Sequence, residues 1–379
     1  MPAALARIEQ IVGLIVIFGV LLDVFLTVLY ARMGYSIFAD FLAQLVWSGV
    51  FHLSRPFPKK RPLMLSFGGP LIVVVVLAFW ISAVICGSAM IFHPELGTAV
   101  RSSSGETPRD FFTALYASGT SMITLGTGSL EPHTPASRLL YVFNPVIGMS
   151  IMTLTITYVV EIYNALHDRN TLALKLHLMS GKTGDAADLM AGLGSGGDFG
   201  PGYSQLAEVA AEIVSLKESH NFYPVLFYFR FRDALYSVSA VSLLALDTAT
   251  LLTTALNEKR YGWLKGASAV ITLREAAALL INTLEQTFLP KRAAGQVPDE
   301  QEMRRWRVRY FAALRRLQDA DIETRTDEHA GAQEYAQMRR EWNPYIRTLA
   351  PAMGFSIDEV DPALREIRLP DDQPDPQPR

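Results

Sequence analysis

The stretch DFFTALYASGTSMITLGTGSLEP, residues 110–132, decides how this chain is read. Residues 110–123 have the pattern of a short amphipathic helix. Thr124, Leu125, Gly126, Thr127, Gly128, Ser129, Leu130, Glu131 and Pro132 follow, and then an apolar span. Gly126 and Gly128 can take positive φ without a Cβ clash, so the peptides between them can alternate in handedness and point successive C=O groups at one axis. A ring of such carbonyls can replace the water around a cation. Thr124 adds a hydroxyl at the inner end of that ring.

Outward from this stretch, three segments are long and apolar enough to cross a bilayer, which takes ~20 helical residues. They are 11–30, 69–92 and 139–163. The first lacks the basic start and small-residue cleavage site of a signal peptide and is expected to remain as a span. Asp23 lies inside it, and an ionisable group there is either functional, placed near one interface, or hydrogen-bonded to a neighbouring helix. Between the first two spans, Ser36, Asp40, Gln44, Ser48 and His52 recur every four residues along a wide apolar surface. This amphipathic helix suits the membrane surface, with a fourth span as the competing reading. Arg55, Lys59, Lys60 and Arg61 follow and place that loop in the cytoplasm. The second span then runs outward and everything after about 166 is cytoplasmic, in a multi-pass protein of the cell membrane.

Residues 110–166 resemble the pore domain of the potassium channel family, whose filter reads Thr-Val/Ile-Gly-Tyr/Phe-Gly-Asp. Thr124, Gly126 and Gly128 match, and Leu125 keeps an apolar position. Thr127 replaces the family's aromatic and Ser129 its aspartate. Pro132, Arg138 and Gly148 also fall where the family has them, and the likeness covers about a sixth of the chain. It implies an all-α membrane domain with a re-entrant pore helix and a selectivity filter at Thr124, Leu125, Gly126, Thr127 and Gly128. Permeant K⁺ would be held at Thr124, Leu125, Gly126 and Thr127, with no other cofactor. One loop cannot encircle an ion, so the resemblance implies a homotetramer in contact with membrane lipid.

Further roles follow from position. Phe111, Phe112, Leu115 and Tyr116 are expected to pack the pore helix against its neighbours, and Tyr116, Thr120 and Ser121 to support the filter from behind. Ser129 and Glu131 stand at the mouth, where Glu131 can restore the negative potential that Ser129 removes. The Asn144-Pro145 step and Gly148 predict a bend in the inner helix, as a gating hinge or a fixed kink. Met149, Met152, Thr153, Ile156, Thr157 and Val160 recur at helical spacing as candidates for the cavity or lower gate. Thr127 and Ala117 both stand where the family carries large rings, which leaves a weakly selective Na⁺/K⁺ pore as an alternative to a K⁺ pore. A non-conducting scaffold with a partner-binding domain is another.

The chain has 379 residues, a net charge of −3 and one cysteine, Cys86. That balance argues against a nucleic-acid partner. No disulfide can form within the chain, and Cys86 is expected to pack as a small hydrophobe. The domains are read as 1–166 for the membrane pore, 167–202 as a helical extension and Gly-rich linker, 203–355 as a helical cytoplasmic domain, and 356–379 as a disordered tail. Gly181-Lys182-Thr183 and the glycines at 192–197 imitate phosphate-binding strings without the required strand or spacing. Residues 205–218, 225–257, 262–288 and 300–329 have helical spacing of apolar residues. The segment 235–256 is apolar enough to raise the question of another span, but Asp247 and its many hydroxyls favour a buried core helix. No catalytic constellation is present, so no enzyme is expected. The cytoplasmic ligand or partner and the gating stimulus are left open.

Overall fold

The computed structural model describes residues 2–30, 35–103, 105–123, 129–289 and 298–365. They divide into two compact units. The first holds 1–49, 69–163 and 222–225, and the second holds 50–68, 164–221 and 226–379.

In the first unit, α1 (Ala3–Val24) ends in a π turn, Phe25–Tyr30. Next comes α2 (Ala39–Ser54), whose last residues count with the second unit, and then α4 (Gly68–Phe92), preceded in the chain by α3 (Arg61–Ser66) of the second unit. The short α5 (Phe111–Met122) precedes the 45-residue α6 (Pro135–Met179). Among the described residues, three helical stretches are long and apolar enough to span a membrane: Ala3–Tyr30, Arg61–Glu95 and Pro135–Met179. They contain the three expected spans. The helix α1 meets α4 through two glycines. A Cβ on Gly13 would stand 2.4 Å from the carbonyl oxygen of Gly87, and one on Gly87 would stand 2.9 Å from that of Gly13. Small residues at such a crossing let two backbones touch where lipid offers no hydrophobic drive.

Asp23 belongs to this packing. It is fully buried; its Oδ1 accepts from the backbone N–H groups of Ile37 (2.6 Å) and Phe38 (2.8 Å), and its Oδ2 accepts from Trp80 Nε1 (2.7 Å). The acid therefore satisfies free N–H donors at the entry to α2 and an indole of α4. Ser36 Oγ accepts from Asp40 N at 2.8 Å and completes the start of α2. The face that α2 buries is Ala39, Ala43 and Trp47, while Gln44, Ser48 and His52 of the polar stripe stay exposed. Cys86, expected to be packed, is exposed on α4 instead.

The second unit is helical. After α6 come α7 (Ala186–Leu193), α8 (Gly200–Phe222) and two 3₁₀ turns, Pro224–Tyr228 and Ala234–Tyr236. The central α9 (Val238–Thr254) is followed by α10 (Glu258–Lys265), α11 (Ser268–Phe288), α12 (Glu300–Asp319) and α13 (Glu328–Ala352). The short α14 (Ile357–Val360) and α15 (Pro362–Arg365) end the described chain. Packed by α7, α11 and α13, α9 is buried along almost its whole length. Its hydroxyls bond back to its own carbonyls, Thr248 to Leu244, Thr250 to Leu246 and Thr254 to Thr250, at 2.7–2.9 Å. That is how a Ser- and Thr-rich helix can sit in a core. The pair α10 and α11, bent by 53°, also passes the length and hydropathy test for a span when taken together. Within the second unit, α11 buries Leu273, Ala277, Leu280, Ile281 and Leu284.

Several expectations need correction. The stretch read as a Gly-rich linker contains α7, whose Ala186, Ala187, Leu189 and Met190 are core residues. Glycine there serves close packing and turns: a Cβ on Gly202 would lie 2.1 Å from the carbonyl oxygen of Leu193. The helix expected from 225 begins only at Val238, because Ser237 caps it there by accepting from Ala240 N. The tail expected to be disordered from 356 is ordered through 365, since Asp361 is buried between two arginines. Residues 366–379 lie outside the described residues. The boundary expected at 166 falls inside the continuous α6, three residues from the change of unit after Tyr163.

Candidate functional site

The helix α5 starts at Asp110, which caps it by accepting from Thr113 N (3.0 Å) and Thr113 Oγ1 (2.8 Å). Between α4 and α6 it is held by polar bonds that are shielded from solvent. Ser118 Oγ donates to the carbonyl of Ile85 at 2.9 Å. Asn144 of α6 donates through Nδ2 to Ser88 Oγ of α4 (2.8 Å) and Ser121 Oγ of α5 (2.9 Å). All three side chains of that last cluster are buried. One asparagine thus ties the three helices together at a single level, and each bond is strengthened by the low dielectric around it. Asn144 gave no sequence signal beyond its place before Pro145.

The packed face of α5 is Ala114, Ala117, Ser118, Ser121 and Met122, all buried. The expectation that Phe112 and Tyr116 pack against the outer and inner helices is not met. Phe112 is 81% exposed and Tyr116 half exposed, because small residues bring α5 close to its neighbours and large rings do not fit between. Phe111 is 37% exposed and makes an edge-on ring contact with His93, at 5.7 Å between ring centroids. Leu115 packs against an apolar cluster of Ala89, Phe92, Leu96, Val100, Ala114, Ala117 and Leu130. Thr120 Oγ1 donates to the carbonyls of Tyr116 and Ala117 in its own helix. Ser121 donates to Ser118 O while accepting from Asn144.

At the far end of α5, a Cβ on Gly148 would stand 2.6 Å from the carbonyl oxygen of Met122. The inner helix can approach the end of the pore helix so closely only because position 148 has no side chain. Pro145 lies within α6, which continues as one helix on both sides of it.

The filter residues Thr124, Leu125, Gly126, Thr127 and Gly128 lie outside the described residues. Their flanks are fixed. Ser129 is exposed, and its carbonyl accepts from Ser103 N at 3.0 Å. Strand β1 (Val100–Ser102) pairs antiparallel with β2 (Leu130–Pro132). His133 N and Ser137 Oγ both donate to the carbonyl of Ala99. Glu131 is exposed and stands opposite Arg101 in the ladder. The Arg101 Nε donates to the carbonyl of Thr98 at 2.8 Å. Met149, Met152, Thr153, Ile156, Thr157 and Val160 are all exposed within the chain, whereas Ile151, Tyr158 and Ile162 face inward. The candidates for the cavity therefore form one unburied face of α6. Among the described residues no cluster of three or more His, Cys, Asp or Glu side chains is arranged to hold a metal ion.

Comparison with known proteins follows the same outline. Residues 71–165 match the family model described as "Ion channel". A Bacillus subtilis (strain 168) protein described as uncharacterized membrane protein YdjJ is 26% identical over 235 residues, covering 62% of this chain and 67% of that protein. No solved structure matches. The match to the ion-channel family takes in α4, the re-entrant helix α5 and the upper part of α6, and over those residues this multi-pass membrane protein has the helical order of an ion-channel pore domain.

Proposed function

We propose that the chain assembles as a homotetramer into a K⁺-permeable cation channel that conducts through the backbone carbonyls of Thr124, Leu125, Gly126, Thr127 and Gly128. The observation that carries this reading is the seating of α5. It is bonded to α4 through Ser118 and to both α4 and α6 through the Asn144 cluster, and it ends at Met122, two residues before Thr124. The C-terminal end of a helix carries partial negative charge, which favours a cation just beyond it. The exposed apolar rows on α5 and α6 give symmetric copies a surface to bury. At 16 residues α2 is shorter than a span needs, which supports a helix at the membrane surface.

A second reading, a pore with little discrimination between Na⁺ and K⁺, is favoured by Ala117. That side chain is fully buried in the apolar cluster and offers no large ring to brace a filter that already has Thr127 in place of an aromatic. Potassium flux into vesicles holding the purified chain tests conduction. It should be present for the wild type and absent for Gly126→Asp, and its absence from both would leave the scaffold reading. Reversal potentials under mixed K⁺ and Na⁺ gradients then separate the two pores, and Thr127→Tyr should sharpen discrimination if the missing ring is what loosens it.

A further inference from the structure

The second unit contains a cavity of about 600 Å³ that the channel reading does not use. It is lined by Phe51 in the last turn of α2, by Arg61 at the start of α3, by Arg230, and by Phe355 and Ser356 just after α13. Two guanidinium groups converge on it. Arg230 is only 4% exposed and stacks 4.3 Å above the ring of Phe355. It donates from Nε to Gly354 O at 3.1 Å and from Nη1 to Pro62 O at 3.1 Å and Phe231 O at 3.3 Å. Gly354 has φ +82°, and a Cβ there would press on Leu65 and on Arg230 itself. Arg61 stacks 4.9 Å from the ring of Phe51. Its Nε is buried and meets no hydrogen-bond acceptor among the described residues.

Neither arginine has an ion-pair partner among the described residues. Burial lowers the pKa of Arg230; the Glu359 charge raises it, and the Arg61 charge lowers it again. The two carboxylates on the lining, Asp358 and Glu359, are exposed. Glu359 Oε2 already accepts from Ser356 N (2.7 Å) and Ser356 Oγ (3.1 Å). Two cations brought together in a shielded space, with donors to spare and their carboxylate neighbours turned to solvent, form a site short of an anion. The volume lies in the range of ligand pockets and exceeds what a bare halide fills.

We propose that this cavity binds a phosphate group through Arg61 and Arg230, carried either by a soluble phosphate compound or by the headgroup of a phospholipid. Two planar guanidinium forks match the oxygens of a phosphate, and its double negative charge neutralises both.

The test uses the full chain purified in detergent, with two probes. Equilibrium dialysis against labelled inorganic phosphate at fixed ionic strength reads the soluble source. Native mass spectrometry with phosphatidic acid, compared with phosphatidylcholine, reads the lipid source. Arg61→Gln is the informative variant, because Arg61 makes no hydrogen bond that the fold needs. It should weaken binding of the active probe by about tenfold or more while leaving helix content unchanged. Arg61→Lys, which keeps the charge and loses the fork, should fall between the two. Retention of phosphate assigns a soluble ligand, and retention of phosphatidic acid alone assigns a lipid headgroup. Failure of the wild type to bind either probe, or equal binding by wild type and Arg61→Gln, overturns the proposal. None of these readouts depends on ion conduction.

Discussion

Gly148 of the inner helix lies against the carbonyl oxygen of Met122 at the end of the pore helix, close enough that a Cβ would stand 2.6 Å away. Backbone oxygen is a poor neighbour to displace, since moving it moves the peptide that leads into Thr124. This contact gives the glycine a packing role that stands apart from any hinge.

Gly148→Ala is therefore expected to cost stability, although alanine is the better helix former by about 1 kcal/mol. Overpacking of this kind costs about 1–3 kcal/mol. The variant should melt earlier and conduct less in the vesicle flux assay. Gly119, with open space around its Cβ position, provides the control: Gly119→Ala should melt no earlier than the wild type.

Asp23 satisfies three donors, Ile37 N, Phe38 N and Trp80 Nε1. Asp23→Leu takes the acceptor from all three and leaves the fully buried Trp80 indole unpaired, and should destabilise by about 1–3 kcal/mol. Removing one donor at the same time, in Asp23→Leu with Trp80→Phe, should recover part of the loss. A thermal melt of the detergent-solubilised chain reads both, and unchanged melting in Asp23→Leu would show that the acid has no structural role.

The second unit is pinned by a buried ionic cluster. Asp247 Oδ2 accepts from Arg309 Nη2 (2.5 Å), and its Oδ1 accepts from Tyr335 OH (2.6 Å) and Arg339 Nη1 (3.1 Å). Asp361 accepts from both Arg309 and Arg339. Arg339 also lies over the rings of Trp306 and Trp342. Removing one partner strands a buried charge, so Asp247→Asn and Asp361→Asn should each cost about 3–5 kcal/mol. Burial raises the pKa of Asp247, but the Arg309 and Arg339 charges and the Tyr335 hydrogen bond outweigh it and leave it below the usual carboxylate value. The stability this confers is present above the unfolded value near 4 and fades as acid titrates the folded form below it. Melting temperature measured downward from pH 5 should fall in the wild type, and less steeply in Asp247→Asn.

His220 sets a second, higher window. It is buried, its Nδ1 meets Leu216 O at 2.9 Å, and its Nε2 has no partner among the described residues. Burial pushes its pKa down to about 4, against the Leu216 hydrogen bond and with the help of the Arg169 charge. Between pH 6.5 and about 4 the unfolded chain carries a proton there that the folded chain refuses, so stability rises with pH. The contribution is complete above 6.5 and amounts to roughly 3 kcal/mol. His220→Gln should flatten the melting profile between pH 7 and 4.5, and an unchanged slope in that variant would assign the dependence elsewhere.

The sequence by itself determined the membrane helices and the order around α5. Spanning length and hydropathy are one-dimensional properties, and the glycines of the filter stand at a readable spacing. The buried status of 235–256 was legible for a similar reason, because Asp247 among apolar residues needs a partner. What only the tertiary structure decided were the relations between distant residues. Asn144 tying Ser88 to Ser121, Asp23 reaching Trp80, and Asp361 ordering a segment that composition marks as a tail all depend on contacts far apart in the chain. Residues 181–202 misled because glycine density signals both loose chain and close packing, and only the neighbour on the other side of each glycine tells which. The same limit hid the packed face of α5, where the small residues, rather than the aromatic ones, set the distance between helices.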